Sequence, residues 1–183
     1  TSGAKRMEHD LLGDREVPAD VYYGVQTLRA LENYNITGIS LSHFPQFVRA
    51  LAMVKKAAAK ANQTLGDLEP AIGEAIGKAC DEIIAGNLHG QFVVDMIQGG
   101  AGTSTNMNAN EVIANRALEI NGHSRGQYEF IHPNNHVNLS QSTNDAYPTA
   151  IRLAVLLSYK ALADAMTDLA YEMKQKAVEF FDV

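Results

Sequence analysis

The chain has 183 residues, 46% of them hydrophobic, and a formal net charge of -6. This length allows one or two domains with a real apolar core, and the negative charge argues against nucleic acid or an anionic membrane as the main partner. The single cysteine, Cys80, excludes an internal disulfide and fits a cytoplasmic location. Its apolar surroundings indicate a small buried packing residue. The longest uncharged apolar run, near residues 153–159, is far too short to cross a bilayer.

The N-terminal quarter of the chain gives only weak structural signals. Residues 1–10 are polar and lack the apolar core of a signal peptide. Residues 10–45 are rich in Gly, Pro, Tyr and Asn and show no sustained period. We therefore expect irregular structure here, with at most a short strand or single helical turns near residues 21–31.

Two helices are predicted next. Apolar residues at spacings of three and four, after a proline suited to a first turn, predict a helix over residues 45–62. A second helix should begin near Pro70 and end before Gly86, which is a suitable C-terminal stop. Lys55 and Lys56 of the first helix are expected on a solvated face.

The second half of the chain predicts a third helix, a loop and a long final helix. The third helix fits residues 106–120, with Asn108 and Glu111 at capping-box spacing. Residues 123–144 are predicted to form a loop. Residues 148–181 are apolar nearly all round at their start and would form a helix roughly 50 Å long. Such a helix needs a bundle, and no second long helix is predicted to partner it, which indicates a truncated chain or burial by other subunits.

A glycine-rich segment, residues 99–108, leads into the third helix. Gly99, Gly100 and Gly102 permit backbone angles closed to other residues and let a ligand approach the main chain. The helix that follows offers its first amides to an anion, and Thr103 adds a hydroxyl. The segment is neither a phosphate loop nor a dinucleotide fingerprint. A glycine turn with a threonine cap is the simpler structural interpretation.

A second polar segment, residues 140–145, precedes the final helix and contains the sequence Ser-Thr-Asn-Asp at residues 142–145. All four residue types are preferred helix caps, so capping alone can explain them. Two such helix starts can also converge to bind an anion, because helix N-termini attract negative charge. Fixed neutral donors suit a carboxylate that gains charge during a reaction. The two segments together therefore predict a pocket for a small dicarboxylate.

Two histidines in the loop, His132 and His136, raise the question of a metal site. Their spacing of four would need a helix, which Pro133 disfavours, and no Cys or carboxylate cluster accompanies them. Polar loop residues bonded to the backbone are the preferred interpretation, and no metal site is predicted.

The segments resemble the signature regions of the aspartase/fumarase superfamily. Residues 100–111 match the pattern Gly-x-Gly-Thr-x-x-Asn-Met-Asn-x-Asn-Glu. Residues 142–145, with His-Pro-Asn at 132–134, resemble the neighbouring active-site stretch, and the similarity extends over nearly the whole chain. Ala101 and Thr143 stand where fumarases typically have serine, which favours the branch that releases ammonia from aspartate.

The resemblance implies a fold and a reaction. The fold is mainly α, with an N-terminal lyase domain of short helices and loops over residues 1–144. The first long helix of a central helical bundle follows over residues 145–183. The implied reaction is the reversible anti elimination of ammonia from L-aspartate to give fumarate, in a cytoplasmic homotetramer whose active sites are shared between subunits. The resemblance implies no cofactor, and activation by a divalent cation has no signature in the sequence.

The resemblance also implies roles for individual residues. Thr103, Ser142 and Thr143 are expected to bind the substrate carboxylate next to the carbon that loses its proton. Asn144, together with Thr103, is expected to contact the amino group. Two further residues, His132 and Asn134, match positions that form a secondary anion site in fumarases. The residues that follow them differ from the fumarase pattern.

Part of the family pattern is not found in these 183 residues. The family's catalytic base is a serine in a Gly-Ser-Ser-x-Met-Pro-x-Lys-x-Asn loop, so the base is expected beyond Val183. The chain then corresponds to the N-terminal portion of such an enzyme and is expected to be inactive alone. Two alternatives stay open: a class II-type fumarase, and a non-catalytic module that retains the lyase fold.

Overall fold

A computed structural model describes residues 3–182 of the chain. The mainly α fold predicted from the sequence is confirmed. Single helical turns lie at Leu41–His43, at His89–Gln91 and, with π geometry, at Pro133–Val137. The longer elements are, in chain order, the strands β1 (Lys5–Asp10) and β2 (Gly13–Pro18) and the helices α1 (Val25–Asn33), α2 (Pro45–Leu65), α3 (Pro70–Ala85), α4 (Thr103–Ile120) and α5 (Thr143–Glu179).

The N-terminal hairpin departs most from the prediction. Strands β1 and β2 pair antiparallel, from Lys5 opposite Pro18 to Asp10 opposite Gly13. Only one residue of each strand is fully buried, so the alternation that usually identifies a strand is hidden among charged side chains. The prediction of irregular structure over residues 10–45 is therefore wrong for β2, and it is also wrong for α1.

Helix α1 is stabilised at its start by a distant carboxylate. Both oxygens of Glu111, which lies on α4, accept hydrogen bonds from the backbone amides of Gly24, Gln26 and Thr27 at 2.8–3.0 Å. The Thr27 hydroxyl donates a fourth bond to the same carboxylate. Burial raises the pKa of Glu111 to about 7, against the hydrogen bonds that favour its charged form. Because this cap comes from another element, the local sequence could not show it.

Helices α2 and α3 form as predicted, and they pack against each other. Each ends at a glycine with positive φ, at Gly66 (+83°) and Gly86 (+109°). Helix α2 continues three residues beyond its predicted end. Cys80 is fully buried in the core, and burial raises the pKa of its thiol to about 12. The expectation of a small buried packing residue is confirmed.

Helix α4 is the central element of the domain. Almost every residue from Thr105 to Leu118 is buried, which is why the helix lacks a clear apolar stripe. The helix begins at Thr103, three residues before the predicted start. The predicted capping box is wrong, because Asn108 and Glu111 lie inside the helix and bond to other elements. Asn108, for example, accepts a hydrogen bond from the amide of Val93 at 2.9 Å.

Helix α5 begins at Thr143 and contains Pro148 near its start, so the predicted start at residue 148 is five residues late. Its first turns pack on α2, with the rings of Phe47 and Tyr147 in edge contact at 5.7 Å. The expectation that no long helix would partner α5 is therefore wrong for these turns. Most side chains from Val155 onward are exposed, and their burial by a surrounding bundle stays a prediction. Among residues 3–182, no helix combines the length and apolarity of a membrane span.

Candidate active-site wall

The first predicted segment forms the start of α4. Gly102 precedes the helix with φ at +85°, a left-handed conformation that favours glycine. Thr103 is the first helical residue, and its side chain is exposed. Because Gly102 has no side chain to cap this end, the first amides of α4 are available to an anion.

Gly102 also lets the two predicted segments approach each other. A β-carbon built at Gly102 would lie 2.5 Å from ring carbons of Tyr147 in α5. Such a distance is far inside van der Waals contact, so only glycine allows the Tyr147 ring to rest against the backbone here. The start of α4 is thus tied directly to the first turns of α5.

Replacement of Gly102 by alanine should lower the free energy of unfolding by about 2 kcal/mol. The alanine would be strained in the left-handed conformation, and its methyl group would clash with the ring of Tyr147. Gly100→Ala is the matched control, since Gly100 also has positive φ (+66°) but open space around its β-carbon position. It should cost only about 1 kcal/mol. Chemical denaturation of both variants would measure the difference. Equal losses would show that the Tyr147 contact is unimportant.

The second predicted segment forms the start of α5. Ser142 is the N-cap residue, and its hydroxyl oxygen accepts a hydrogen bond from the amide of Asn144 at 3.1 Å. The capping interpretation is therefore correct for Ser142. It does not exclude ligand binding, because an oxygen that accepts a hydrogen bond still has its own hydrogen to donate. Thr143 is partly buried, whereas Asn144 is exposed.

The two segments meet at a hydrogen bond between side chains. Asn106, one turn after Thr103 on α4, donates from Nδ2 to Oγ1 of Thr143 at 3.2 Å. The same Nδ2 donates to Oδ1 of Asn138 at 3.0 Å. The structure therefore brings the starts of α4 and α5 together, as the dicarboxylate pocket requires.

A buried lysine lies behind this junction. Lys55 of α2 has no exposed surface, and its Nζ donates to Oδ1 of Asn138 at 2.8 Å and to Oε1 of Gln141 at 3.0 Å. Both partners are neutral amide oxygens, and burial lowers the pKa of Lys55 to about 7. The expectation of a solvated face is wrong for Lys55. It holds for Lys56, whose side chain is exposed beside Asp81.

The polar cluster around Lys55 is incompletely bonded. Asn110, one turn further along α4, also donates to Oδ1 of Asn138, at 3.3 Å. The side-chain oxygens of Asn106 and Asn110 are buried without a hydrogen-bond partner, as is the hydroxyl of Thr105. Buried polar atoms of this kind are rare and costly. Two of these three residues, Asn106 and Asn110, also donate to Asn138.

The predicted secondary anion site lies in a different place. His132 and Asn134 line a cavity of about 550 Å³ that also contacts Asp10, Glu111 and Tyr128. The Nδ1 atom of His132 accepts hydrogen bonds from the amides of Asn134 and Asn135, at 3.0 and 3.3 Å. The proton of the neutral ring then belongs on Nε2, which can donate to a ligand.

A hydrogen bond links the two histidines of the loop. The backbone amide of His132 donates to Nδ1 of His136 at 2.8 Å, inside the π turn that the sequence did not predict. Burial lowers the pKa of both rings. Within residues 3–182, no three or more His, Cys, Asp or Glu side chains are grouped to hold a metal ion.

A slightly larger groove lies elsewhere and is apolar. It has a volume of about 610 Å³ and runs between α5 and the start of α2, past Phe44, Tyr147 and Val155. It contains none of the predicted site residues and offers few polar groups for a carboxylate. We therefore place the candidate site at the junction of α4 and α5.

Sequence reasoning assigned no role in the site to four residues behind the junction: Lys55, Asn106, Asn138 and Gln141. One signal for Lys55 was present. It lies four residues after Leu51 and four before Ala59, which places it on the buried face of α2. The roles of Asn138 and Gln141 depend on how a loop folds over α2, which no local pattern reveals.

Comparison with known proteins defines the class. A family of proteins described as lyases matches residues 13–183, and the chain belongs to this lyase family.

Individual relatives are more specific. The chain is 59% identical to an aspartate ammonia-lyase of Pseudomonas aeruginosa, over 98% of the chain and 38% of that enzyme. It is similar to the crystal structure of a fumarate lyase:delta crystallin from Brucella melitensis, with 58% identity, a TM-score of 0.93 and coverage of 95% of this chain and 39% of that one. A class II fumarase from Schistosoma mansoni is 41% identical, with a TM-score of 0.76 over 83% of this chain and 32% of that one. The chain thus spans about 38% of the length of the curated relative.

Proposed function

We propose that the chain forms one wall of the active site of an aspartate ammonia-lyase, and that the whole protein converts L-aspartate reversibly to fumarate and ammonia. The observation that carries the proposal is the hydrogen bond from Asn106 to Thr143, which joins two polar helix starts. The identity of 59% to an enzyme of that name supports the choice of substrate.

The proposed role of this wall is to hold a carboxylate as it gains charge. Removing a proton from the carbon next to a carboxylate gives an aci-carboxylate with two negative charges. In this proposal the hydroxyls of Thr103, Ser142 and Thr143 donate to it, while Asn144 and Thr103 contact the amino group. The oxygens of Ser142 and Thr143 already accept hydrogen bonds from Asn144 and Asn106, so their hydrogens are left for a ligand.

The electrostatics of the junction support the same role. The start of α4 and the start of α5 each present backbone amides and the positive end of a helix dipole. Donors held in place before the reaction lower the barrier, because they need no reorganisation as charge develops. In this proposal the residue that removes the proton lies outside the described residues, and this wall binds and stabilises.

Assembly and location are further parts of the proposal. We propose that residues 1–144 form the N-terminal domain and that residues 145–183 begin a central bundle in a cytoplasmic homotetramer with shared active sites. The exposed apolar side chains of α5, among them Val155, Leu162 and Leu169, support the bundle. Sedimentation velocity of the whole protein should give a tetramer; a monomer at micromolar concentration would contradict this assembly.

The secondary anion site at His132 and Asn134 is also retained as a proposal, supported by the cavity they line. Asp10 and Glu111 line the same cavity, so a bound anion would have to avoid two carboxyl groups. Succinate titration of the whole protein with and without His132→Ala should show the loss of one weak site. An unchanged binding stoichiometry would remove this site from the proposal.

An assay of the whole protein tests the reaction. It should release ammonia from L-aspartate and form fumarate in equal amounts. A class II-type fumarase, suggested by the similarity to the Schistosoma mansoni enzyme, would form fumarate from L-malate and not from L-aspartate. Activity on neither compound would favour a non-catalytic module with the lyase fold.

A further inference from the structure

The direction in which the Thr143 hydroxyl donates is determined by groups buried behind it. The chain of contacts begins at Lys55, which is fully buried and whose Nζ donates to Oδ1 of Asn138 at 2.8 Å. In that orientation the Nδ2 of Asn138 donates to the backbone oxygen of Gln141 at 3.0 Å, which fixes the amide.

The orientation of Asn106 follows from that of Asn138. Asn106 is 1% exposed, and its side chain reaches Oδ1 of Asn138 at 3.0 Å. Since that oxygen can only accept, Asn106 must present its NH2 group, and the second hydrogen of this group points to Oγ1 of Thr143 at 3.2 Å. The Thr143 oxygen is thereby an acceptor toward the protein interior. Its own hydrogen has to point elsewhere.

We propose that Lys55, Asn138 and Asn106 are positioning residues that form one hydrogen-bonded chain and set Thr143 as a donor to the carboxylate of the substrate. The inference rests on the proposed function only for the identity of that carboxylate. The three residues touch no substrate themselves. They act by removing the alternative orientation of the Thr143 hydroxyl, in which it would donate inward and be lost to the ligand.

A neighbouring residue provides a matched control. Asn110 is also on α4, is also fully buried and also donates to Oδ1 of Asn138, at 3.3 Å. Its Nδ2 has a second contact with the sulfur of Met107, not with Thr143. Truncation of Asn110 should disturb the packing of α4 about as much as truncation of Asn106, without changing the direct contact to Thr143.

The test is a double-mutant cycle on the whole enzyme. Asn106→Ala should lower kcat about 10-fold when Thr143 is present, a typical coupling between groups in contact. In the Thr143→Val background it should lower kcat no more than about twofold, since the hydroxyl it orients is absent. Asn110→Ala should have the same effect in both backgrounds. Equal losses for Asn106→Ala in the two backgrounds would overturn the inference.

Two further measurements keep the result interpretable if Asn106→Ala folds poorly. Asn106→Asp keeps the shape of the side chain but replaces the NH2 donor by an acceptor, so the Thr143 hydrogen should turn inward and kcat should fall about 100-fold, as for loss of the donor itself. A wild-type rate for a folded Asn106→Asp enzyme would also overturn the inference. Calorimetric titration with succinate measures binding without turnover and should follow the same cycle: Asn106→Ala should weaken succinate binding more when Thr143 is present than in the Thr143→Val background.

These outcomes separate the inference from the function it builds on. If the wild-type enzyme releases no ammonia from L-aspartate, the proposed function fails. If it does release ammonia and the cycle is additive, only the positioning role fails.

Discussion

Replacement of Thr143 by valine should lower the turnover of the whole enzyme on L-aspartate by about 100-fold, the usual cost of one preorganised donor to a developing oxyanion. Valine keeps the branched shape of threonine, so the partly buried first turn of α5 should pack as before. What disappears is the hydroxyl that accepts from Asn106 and has its hydrogen free for a ligand. Steady-state kinetics would measure the loss as a fall in kcat.

Two control variants test whether the loss of turnover comes from this hydroxyl. Thr143→Ser retains the hydroxyl and should keep turnover within about threefold of wild type, because the donor is preserved. Thr149→Val removes a hydroxyl from an exposed position on the same helix and should leave turnover unchanged. A Thr143→Val enzyme with the wild-type rate would rule out the proposed contact with the carboxylate.

Replacement of Lys55 by methionine should change how the stability of the chain depends on pH. The pKa of Lys55 is lowered from 10.5 to about 7 by burial. Between those values the unfolded chain holds a proton that the folded chain does not, so raising the pH favours the folded state. This group alone should increase the stability of the wild-type chain by an amount on the order of 4 kcal/mol between pH 7 and pH 10.5.

The Lys55→Met chain should lack this rise. Denaturant unfolding at several pH values would measure it, and the difference between wild type and variant cancels groups common to both, such as Glu111. Lys56→Met is the matched control: Lys56 is adjacent but exposed, so the pH dependence should stay as in wild type. If Lys55→Met and wild type show the same pH dependence, Lys55 is not buried as described.

The parts of the fold that the sequence predicted are those set by local patterns. Helices α2 and α3 each have an apolar stripe, a proline at the start and a glycine with positive φ at the end. The two polar segments were also recognised, because glycine and small hydroxyl residues next to a helix start are distinctive. Their meeting was proposed from chemistry and is now described by the contacts of Gly102 with Tyr147 and Asn106 with Thr143.

The parts that escaped prediction depend on contacts distant in sequence. Helix α1 is capped by Glu111, more than 80 positions away. The hairpin presents charged residues on both sides, so only Glu8 and Val17 are fully buried. Helix α4 is buried all round and carries several asparagines, which local reasoning assigns to caps and turns. In each case tertiary hydrogen bonds outweigh local preference.

The candidate site could be proposed from sequence, but the buried hydrogen bonds behind it could not. Thr103, Ser142, Thr143 and Asn144 were identified through hydroxyl and amide chemistry and through the family resemblance. Asn106 and Lys55 act, in our proposal, through hydrogen bonds inside the protein, and nothing in their spacing reveals a partner in the loop at Asn138. Buried networks of this kind become visible only when the chain is folded.

A crystal structure of the whole protein with succinate, an unreactive dicarboxylate, tests the central claim most directly. We predict one carboxylate at the junction of α4 and α5, with the hydroxyls of Thr103 and Thr143 about 3 Å from its oxygens. The hydrogen bond from Asn106 to Thr143 should be retained. Succinate bound with both hydroxyls beyond hydrogen-bond distance would contradict the assignment of this junction as the carboxylate-binding wall.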